Sequence, residues 1–315
     1  MKKTSIIVPC FNEQDNINDL YNEIKKVTNN SNNNYELIFV DDGSKDETTK
    51  MIKKLTPTEN IIIKLLSFSR NFGKESAMYA GLVESSGDYV CIIDADLQQN
   101  PKYIIEMEEY LSNNKEYDCI TLFQKSRKEN FIMKFFKKSF YKLINKISEV
   151  EFVSGASDFR MFRRNMVEAI LQISEKNRFS KGIFSWVGFN NYYLPYEVSK
   201  RNKGSSKWNF SKLFKYAISG IISFSTAPIK IATFLGFVMS LLSIIYLIVV
   251  IIQKLAFGIA IAGYATIVAL ILLIGGIQLF CIGIIGEYLA RTYIETKNRP
   301  IYLLREKYVK GNERK

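Results

Sequence analysis

Two aspartates that stand one residue apart, Asp94 and Asp96, follow an apolar run that ends at Ile93. Such a run is typical of a buried strand, so the two carboxylates would lie at the carboxyl end of a strand, where open α/β sheets bind their ligands. Carboxylate oxygens suit Mg²⁺ or Mn²⁺, and Mg²⁺ is commonly bound together with substrate phosphates. The pattern therefore predicts a site for a divalent cation and a diphosphate.

Further polar residues follow the first three predicted strands: Glu13 after the first, Asp41 and Asp42 at the second, and Asn71 with Lys74 after the third. Carboxylates at strand ends can accept hydrogen bonds from a nucleotide base or from ribose hydroxyls. Taken alone, Asp42 and the Gly-Ser pair after it are more typical of a turn with a helix cap. The nucleotide interpretation is favoured because the aspartate pair is expected at the same sheet edge.

Several classes of site are excluded by what the sequence lacks. No GxGxxG turn follows the first strand, which argues against a dinucleotide cofactor, and residues 72–76 lack the upstream glycine and the Lys-Ser/Thr pair of a Walker A loop. The chain has no histidine, so imidazole bases and histidine-ligated zinc are excluded. Its four cysteines form no CxxC pair and are predicted to be reduced core residues.

The elements that would hold these residues alternate between strand and helix over residues 1–125. Alternation of this kind indicates an α/β fold with a mainly parallel sheet. Apolar runs predict strands at residues 5–8, 37–40, 61–68, 88–93 and 117–123.

Two segments without charged residues, 231–252 and 265–286, predict a transmembrane hairpin. A helix as long as the first would span about 33 Å, enough for a bilayer. Residues 131–147 and 210–222 have the pattern of basic amphipathic helices, which is typical of a membrane surface; an ordinary packed helix is the alternative. The chain then divides into a catalytic domain at 1–200, a membrane-interface segment at 201–230, the hairpin at 231–290 and a basic tail at 291–315.

The tail carries eight Lys and Arg residues against three Glu. The positive-inside rule therefore predicts a multi-pass protein of the cell membrane, with the catalytic domain and both termini in the cytoplasm. The formal net charge of +12 then indicates an anionic membrane surface as partner and no nucleic acid, because the sequence has no nucleic-acid-binding signature.

The order and spacing of several short motifs resemble those of the family 2 glycosyltransferases, whose catalytic domain has the Rossmann-like GT-A fold. Within that family the chain is similar to the polyprenyl-phosphate sugar transferases, the enzymes like dolichol-phosphate mannose synthase. It resembles most their bacterial subgroup with two transmembrane helices, the bactoprenol glucosyltransferase type, and the resemblance covers essentially the whole chain. The motifs that carry it are residues 6–13, 40–44, 69–75, 94–98, 157–160, 201–208, 286–293 and Arg299-Pro300.

The resemblance implies transfer of a sugar from a nucleotide diphosphate donor to undecaprenyl phosphate, with inversion at the anomeric carbon, for modification of a cell-envelope glycan. Glucose from UDP-glucose is the leading donor, and N-acetylglucosamine, galactose and mannose donors stay open. The resemblance also implies Mg²⁺ or Mn²⁺ as cofactor and a homo-oligomer, a tetramer in the family.

The resemblance assigns the metal to three side chains, Asp94, Asp96 and Gln98. It assigns catalysis to Asp96 and to Asp158, which matches the family's candidate catalytic acidic position. Because a phosphate nucleophile is already largely ionised near neutral pH, Asp158 would orient the acceptor or remove a residual proton. A salt bridge from Asp158 to Arg160 or Arg163 is the alternative.

The remaining roles belong to donor and acceptor binding. The donor-binding residues would be Pro9, Phe11, Glu13, Val40, Asp41, Asp42, Asn71, Lys74, Asp94, Ala95 and Asp96. The acceptor phosphate would be bound by Arg127, Arg201 and Lys207, since guanidinium and ammonium groups suit phosphate. Lys125 and Lys128 compete with Arg127 for that role, and Lys203 could replace either of the other two.

Two other functions stay open. A processive membrane polysaccharide synthase would carry a QxxRW motif and usually more membrane spans, and the sequence has neither. A non-catalytic membrane scaffold that kept a sugar-nucleotide fold would not need the intact acidic residues.

Overall fold

Four parallel strands form the centre of the sheet in the computed structural model, which describes residues 1–29, 31–124, 141–142, 144–196, 220–257 and 263–311. These strands are β1 (Lys3–Cys10), β2 (Asn34–Asp41), β3 (Ile61–Phe68) and β4 (Tyr89–Ile92), paired in the order β4-β1-β2-β3. They are connected by helices α1 (Ile17–Thr28), α2 (Thr48–Lys54) and α3 (Lys74–Glu84). The predicted α/β fold with a mainly parallel sheet is confirmed.

Four more strands extend this centre into an eight-stranded sheet of order β7-β5-β6-β4-β1-β2-β3-β8. They are β5 (Cys119–Gln124), β6 (Ala156–Arg163), β7 (Asn191–Tyr196) and β8 (Leu304–Lys310). β6 lies antiparallel between β4 and β5, β7 pairs parallel with β5, and β8 pairs antiparallel with β3. Of these four, only β5 is predicted from the sequence.

The last strand changes the division of the chain. Residues 304–310, assigned from the sequence to a basic tail, pair with β3 along nearly its whole length. Their sequence, LREKYVK, alternates charged and apolar residues and gives no long apolar run, because β8 is an edge strand with one side facing water. The chain therefore returns from the hairpin to the catalytic sheet.

The core lies in two layers, one on each face of the sheet, because successive strand residues point to opposite faces. Ile6 and Val8 of β1 pack with α1, α2 and α4 (Lys102–Asn113) on one face. Ile7 packs on the other face with α3, α5 (Arg164–Gln172) and α6 (Ser180–Trp186). Helices on both faces leave the carboxyl ends of the parallel strands open at one edge.

Two long helices, α7 (Ala227–Phe257) and α8 (Tyr264–Thr296), form a C-terminal hairpin. Within them Ala227–Gln253 and Leu273–Thr296 are long and apolar enough to cross a membrane, with mean hydropathies of 2.9 and 1.7. In the most apolar 18 residues of each, no residue is buried by the rest of the protein. Both helices begin and end outside the predicted bounds of 231–252 and 265–286.

The base of the hairpin is joined to the catalytic domain by hydrogen bonds. The Tyr288 hydroxyl donates to the Ser225 carbonyl at 2.6 Å. The Glu295 carboxylate accepts from the backbone N–H groups of Lys176 at 2.8 Å and Asn177 at 3.3 Å. The end of α8 is therefore fixed against the segment that connects α5 to α6.

One charged side chain, Glu36, is fully buried within the sheet. Its carboxylate accepts from Ser5 Oγ at 2.5 Å and from the Ser86 N–H at 2.5 Å, and it pairs with Lys64 at 2.9 Å and Lys3 at 3.2 Å. Burial alone would raise the pKa of Glu36, but these hydrogen bonds and Lys64 lower it from 4.5 to about 2. The network therefore holds an ionised carboxylate inside the protein.

We expect Glu36→Gln to destabilise the protein by about 3 kcal/mol near neutral pH, because Lys64 loses a buried counter-charge. Since the folded pKa lies below the unfolded one, the contribution of Glu36 is complete above about pH 4.5 and is lost as the pH falls towards about 2. Thermal unfolding of the detergent-solubilised chain, followed from about pH 7 to about pH 3, measures the effect. Glu47→Gln, at an exposed ion pair with Lys50, is the matched control and should shift little.

Candidate active site

Asp41 and Asp42, at the end of β2, organise the carboxyl edge of the sheet. The Asp41 carboxylate accepts from Ser67 Oγ at 2.9 Å, from Thr49 Oγ1 at 3.1 Å and from the Ser44 N–H at 3.1 Å. Asp41 is almost completely buried, and both of its carboxylate oxygens accept hydrogen bonds from within the protein. Of the two predicted donor-binding aspartates, Asp41 thus has a clear local role in fixing the turn after β2.

Asp42 holds the loop between β3 and α3. Its Oδ1 accepts from the Phe72 N–H at 2.6 Å, and its Oδ2 accepts from the Gly73 N–H at 2.9 Å. Burial raises the pKa of Asp42 although the two backbone donors act in the opposite direction. These bonds fix the residues between Asn71 and Lys74, so the second and third strand ends form one unit, as the sequence predicts.

Lys74 lies between two carboxylates that come from distant parts of the chain. Its Nζ is 2.6 Å from Asp94 Oδ1, just after β4, and 2.7 Å from Asp158 Oδ2 on β6. Burial alone would lower the pKa of Lys74, but Asp94 and Asp158 raise it well above its ordinary value. Lys74 is therefore a fixed positive charge at the centre of the site.

Asp158 has a second cation beside it. Lys181 Nζ, on α6, lies 3.8 Å from Asp158 Oδ1 and donates to the Ala156 carbonyl at 3.2 Å. Although burial would raise the pKa of Asp158, Lys74 and Lys181 together hold it well below its ordinary value. The ion pairs of Asp158 are thus with Lys74 and Lys181 and not with Arg160 or Arg163, the predicted alternative. The guanidinium groups of Arg160 and Arg163 donate to the carbonyls of Ser157 and Tyr117, although the Arg160 charge also helps to lower the pKa of Asp158.

Lys181 is a site residue that the sequence does not reveal. It follows Ser180, whose N–H donates to Glu75 Oε2 at 2.8 Å and whose hydroxyl bonds to the same oxygen. Glu75 is the neighbour of Lys74, so this contact joins the starts of α3 and α6 and brings the two lysines to one aspartate. No spacing or motif could have indicated a contact between residues 75 and 180.

Asp96 and Gln98 lie on a tight turn after β4. Leu97 between them has a φ of 57°, in the left-handed region, and the Gln98 N–H donates to Asp96 Oδ1 at 3.2 Å. Within the part of the chain that the structure describes, no three acidic, cysteine or histidine side chains converge on one point. The oxygen donors present fit a cation that is shared with a diphosphate, since Mg²⁺ is commonly held by one or two carboxylates and substrate phosphates.

The other predicted residues differ in their exposure and contacts, and some of them lie outside the described residues. Pro9 and Val40 face each other in the β1–β2 ladder, Val40 and Ala95 are buried, and Phe11 is exposed. The Glu13 carboxylate accepts from Asn16 Nδ2 at 2.6 Å. The predicted phosphate-binding residues Arg127, Arg201 and Lys207 lie outside the described residues, as do Lys125, Lys128 and Lys203.

Comparison with known proteins identifies the chain. Residues 5–171 match the model of the family described as Glycosyl transferase family 2. The chain belongs to glycosyl transferase family 2. Residues 227–292 match the model described as GtrB C-terminal hairpin, which coincides with most of α7 and α8. The expected membership of this family, the GT-A fold and the enzyme class of glycosyltransferase are thereby confirmed, and the hairpin makes it a membrane glycosyltransferase.

Relatives match this glycosyltransferase over nearly its full length. The putative glycosyltransferase CsbB of Bacillus subtilis (strain 168) is 42% identical over 96% of this chain and 91% of its own. A prophage bactoprenol glucosyl transferase homolog of Escherichia coli (strain K12) is 39% identical over 96% of this chain and 98% of its own. The SfII prophage-derived bactoprenol glucosyl transferase of Shigella flexneri is 39% identical over 98% and 99%.

We expect Lys74→Met to lower the kcat/KM of this glycosyltransferase by about 100-fold at neutral pH, because the site loses its central positive charge. Without Lys74 the pKa of both Asp94 and Asp158 rises, so the acidic limb of the pH–rate profile should move to higher pH. The profile is measured with the donor that the wild type uses. Lys25→Met, at an exposed position of α1, is the control and should leave rate and profile unchanged; an unshifted profile in Lys74→Met would contradict the assigned role.

Proposed function

We propose that this glycosyltransferase transfers a sugar from a nucleotide diphosphate donor to undecaprenyl phosphate, with inversion, at the cytoplasmic face of the cell membrane. UDP-glucose is the proposed donor. One observation carries the proposal: the Asp94–Lys74–Asp158 cluster and a two-helix membrane hairpin belong to one chain, with the hairpin base hydrogen-bonded to the catalytic domain. Two relatives named as bactoprenol glucosyl transferases, similar over nearly full length, support the acceptor.

The donor diphosphate would bind where the parallel strands end. Asp42 and the loop that it holds, with Asn71 and Lys74, would contact the nucleoside and its phosphates. Asp96, with Asp94 and Gln98, would hold Mg²⁺ or Mn²⁺, which neutralises negative charge that develops on the leaving diphosphate. Lys74 can exchange part of its contact with Asp94 for a phosphate oxygen, because an ammonium group has three donors.

The acceptor is a nucleophile that needs little activation. The second pKa of a phosphate monoester is ≈ 6, so it is largely ionised near neutral pH. Lys74 and Lys181 lower the pKa of Asp158, which makes Asp158 a weak base. We therefore assign Asp158 the task of orienting the acceptor through the two lysines.

Lys181 is the proposed partner of the acceptor phosphate. A dianionic acceptor must approach a site that already contains the carboxylates of Asp94, Asp96 and Asp158. It therefore needs a nearby cation whose charge these carboxylates do not already neutralise. Lys74 contacts two carboxylates at under 3 Å, whereas Lys181 lies 3.8 Å from one. Arg127, Arg201 and Lys207 remain the proposed clamps on the membrane side, and a homotetramer with both termini in the cytoplasm remains the proposed assembly.

A panel of nucleotide sugars tests the reaction. The purified full-length chain is incubated with undecaprenyl phosphate and Mg²⁺ or Mn²⁺, and the lipid product is identified by its mass. We expect one hexosyl-phosphoundecaprenol and its loss in EDTA. Asp96→Asn should reduce the rate by about 1000-fold, while Glu109→Gln, exposed on α4, should not. A polymer formed without lipid acceptor would indicate a processive synthase, and no product with any donor would favour the scaffold.

Substituting Lys181 separates donor from acceptor binding. Lys181→Met should raise the KM for undecaprenyl phosphate by about tenfold and leave the KM for the donor within about twofold, because only the acceptor loses a charge partner. Lys181→Arg, which keeps the charge, should restore most of the affinity. Equal increases in both KM values would contradict the assignment.

A further inference from the structure

The segment after the membrane hairpin lies against the loop that leads to Lys74. We define the C-terminal strap as residues 299–310, which run from the end of α8 through β8. We propose that the strap is part of the donor site and that Tyr302 and Arg305 are positioning residues for the donor loop, residues 69–73. This inference rests on the proposed use of the strand-end site for a nucleotide donor.

Backbone pairing brings the strap to the donor loop. β8 pairs with β3 up to Leu304 opposite Phe68, with an irregularity between Ser67 and Phe68. Beyond the ladder, the Ser69 N–H donates to the Leu303 carbonyl at 2.9 Å. Arg305 Nη2 donates to the Ser69 carbonyl at 3.0 Å. Both backbone groups of Ser69, the first residue of the loop, are therefore bound by the strap.

Aromatic rings also connect the strap to the donor loop. The Tyr302 ring stacks on Phe68 with centroids 5.0 Å apart and planes at 15°. Phe68 in turn forms an edge-to-face pair with Phe72, with ring centroids 5.7 Å apart. Stacked and edge-to-face pairs of this kind stabilise a fixed arrangement beyond their buried area. Tyr302 thus supports Phe72 through one intervening ring.

Phe72 connects the strap to the proposed donor-binding residues. Its N–H donates to Asp42 Oδ1, and Lys74 begins α3 two residues later. Gly43, at a φ of 69°, lies so close to this loop that an added Cβ would stand 2.5 Å from the Arg70 carbonyl carbon. The turn after β2 and the donor loop therefore touch without spare space, and displacement of the loop must displace Asp42 or Lys74.

The strap also ties the donor site to the membrane hairpin. It continues directly from α8 through Asn298, which has a φ of 47°. Glu295, one turn earlier, is fixed by the backbone of Lys176 and Asn177. Both ends of the strap are therefore held: one by α8, the other by β3. A shift of α8 relative to the sheet would therefore be transmitted through the strap to residue 69.

Tyr302→Ala tests the proposal in the full-length chain, with Tyr308→Ala as the matched control. Tyr308 also belongs to the strap, on β8, but packs against the opposite layer of the core, near Lys53. We expect Tyr302→Ala to weaken UDP binding, measured by calorimetry with Mn²⁺, and to raise the donor KM, each by about five- to tenfold, with acceptor KM and kcat nearly unchanged. Tyr302→Phe should restore wild-type values.

Hydrogen exchange gives a readout that does not depend on the donor. In Tyr302→Ala the amides of Ser69, Phe72 and Gly73 should exchange about tenfold faster, whereas Tyr308→Ala should leave them unchanged. Unchanged exchange in Tyr302→Ala, or equal effects of the two substitutions on UDP binding, would overturn the proposal. A wild type that neither binds UDP nor glycosylates undecaprenyl phosphate would instead overturn the proposed function.

A milder pair of substitutions keeps the test decisive if Tyr302→Ala does not fold. Arg305 and Lys307 are both exposed on β8, and Lys307 pairs with Glu84 at 2.8 Å, away from the loop. Arg305→Ala should speed exchange at Ser69 and raise the donor KM about two- to threefold. Lys307→Ala should change neither the exchange at Ser69 nor the donor KM. If Arg305→Ala also has the donor KM of the wild type, the role assigned to Arg305 is contradicted.

Discussion

The Lys74 ammonium group lies between Asp94 and Asp158, and the arrangement of the site depends on this contact. Two carboxylates that approach one point repel each other unless a cation lies between them. Lys74 can take that position only because α3 begins beside the sheet edge, and α3 begins there because Asp42 binds the Phe72 and Gly73 N–H groups. The charge cluster and the loop that delivers it are therefore one structural unit.

The need for a cation between the two carboxylates explains why segments that are far apart in sequence meet at this sheet edge. Asp94 follows β4, Asp158 lies on β6, and the two strands are antiparallel neighbours. Pairing in this sense puts the start of β6 beside the end of β4, which is where both carboxylates are needed. Lys181 reaches the same point from α6, which Glu75 fixes through Ser180. The order of the strands therefore determines which charged side chains lie close together. These side chains in turn determine which reactions the carboxyl edge of the sheet can support.

Local patterns in the sequence predict the central part of this arrangement. The four parallel strands are apolar runs buried on both faces, so their position and the residues at their ends could be predicted. β6 has Ser157 and Asp158 near its start and contains two arginines, and β8 alternates charged with apolar residues, so neither resembles a buried strand. Lys181 could not be predicted, because its role arises from a contact between residues 105 positions apart, Glu75 and Ser180.

The return of the chain from the membrane to the sheet has a mechanical consequence. β3 would be an edge strand without β8, and its unpaired backbone groups would be open to other chains. β8 covers that edge, and Ser69, where the donor loop begins, is bound by Arg305 of β8 and by the carbonyl of Leu303 just before it. One short segment therefore covers the sheet edge, connects the hairpin to the sheet and contacts the loop that leads to Lys74. Because the segment that joins α8 to β3 also holds both backbone groups of Ser69, a displacement of that segment would disturb the start of the loop that leads to Lys74.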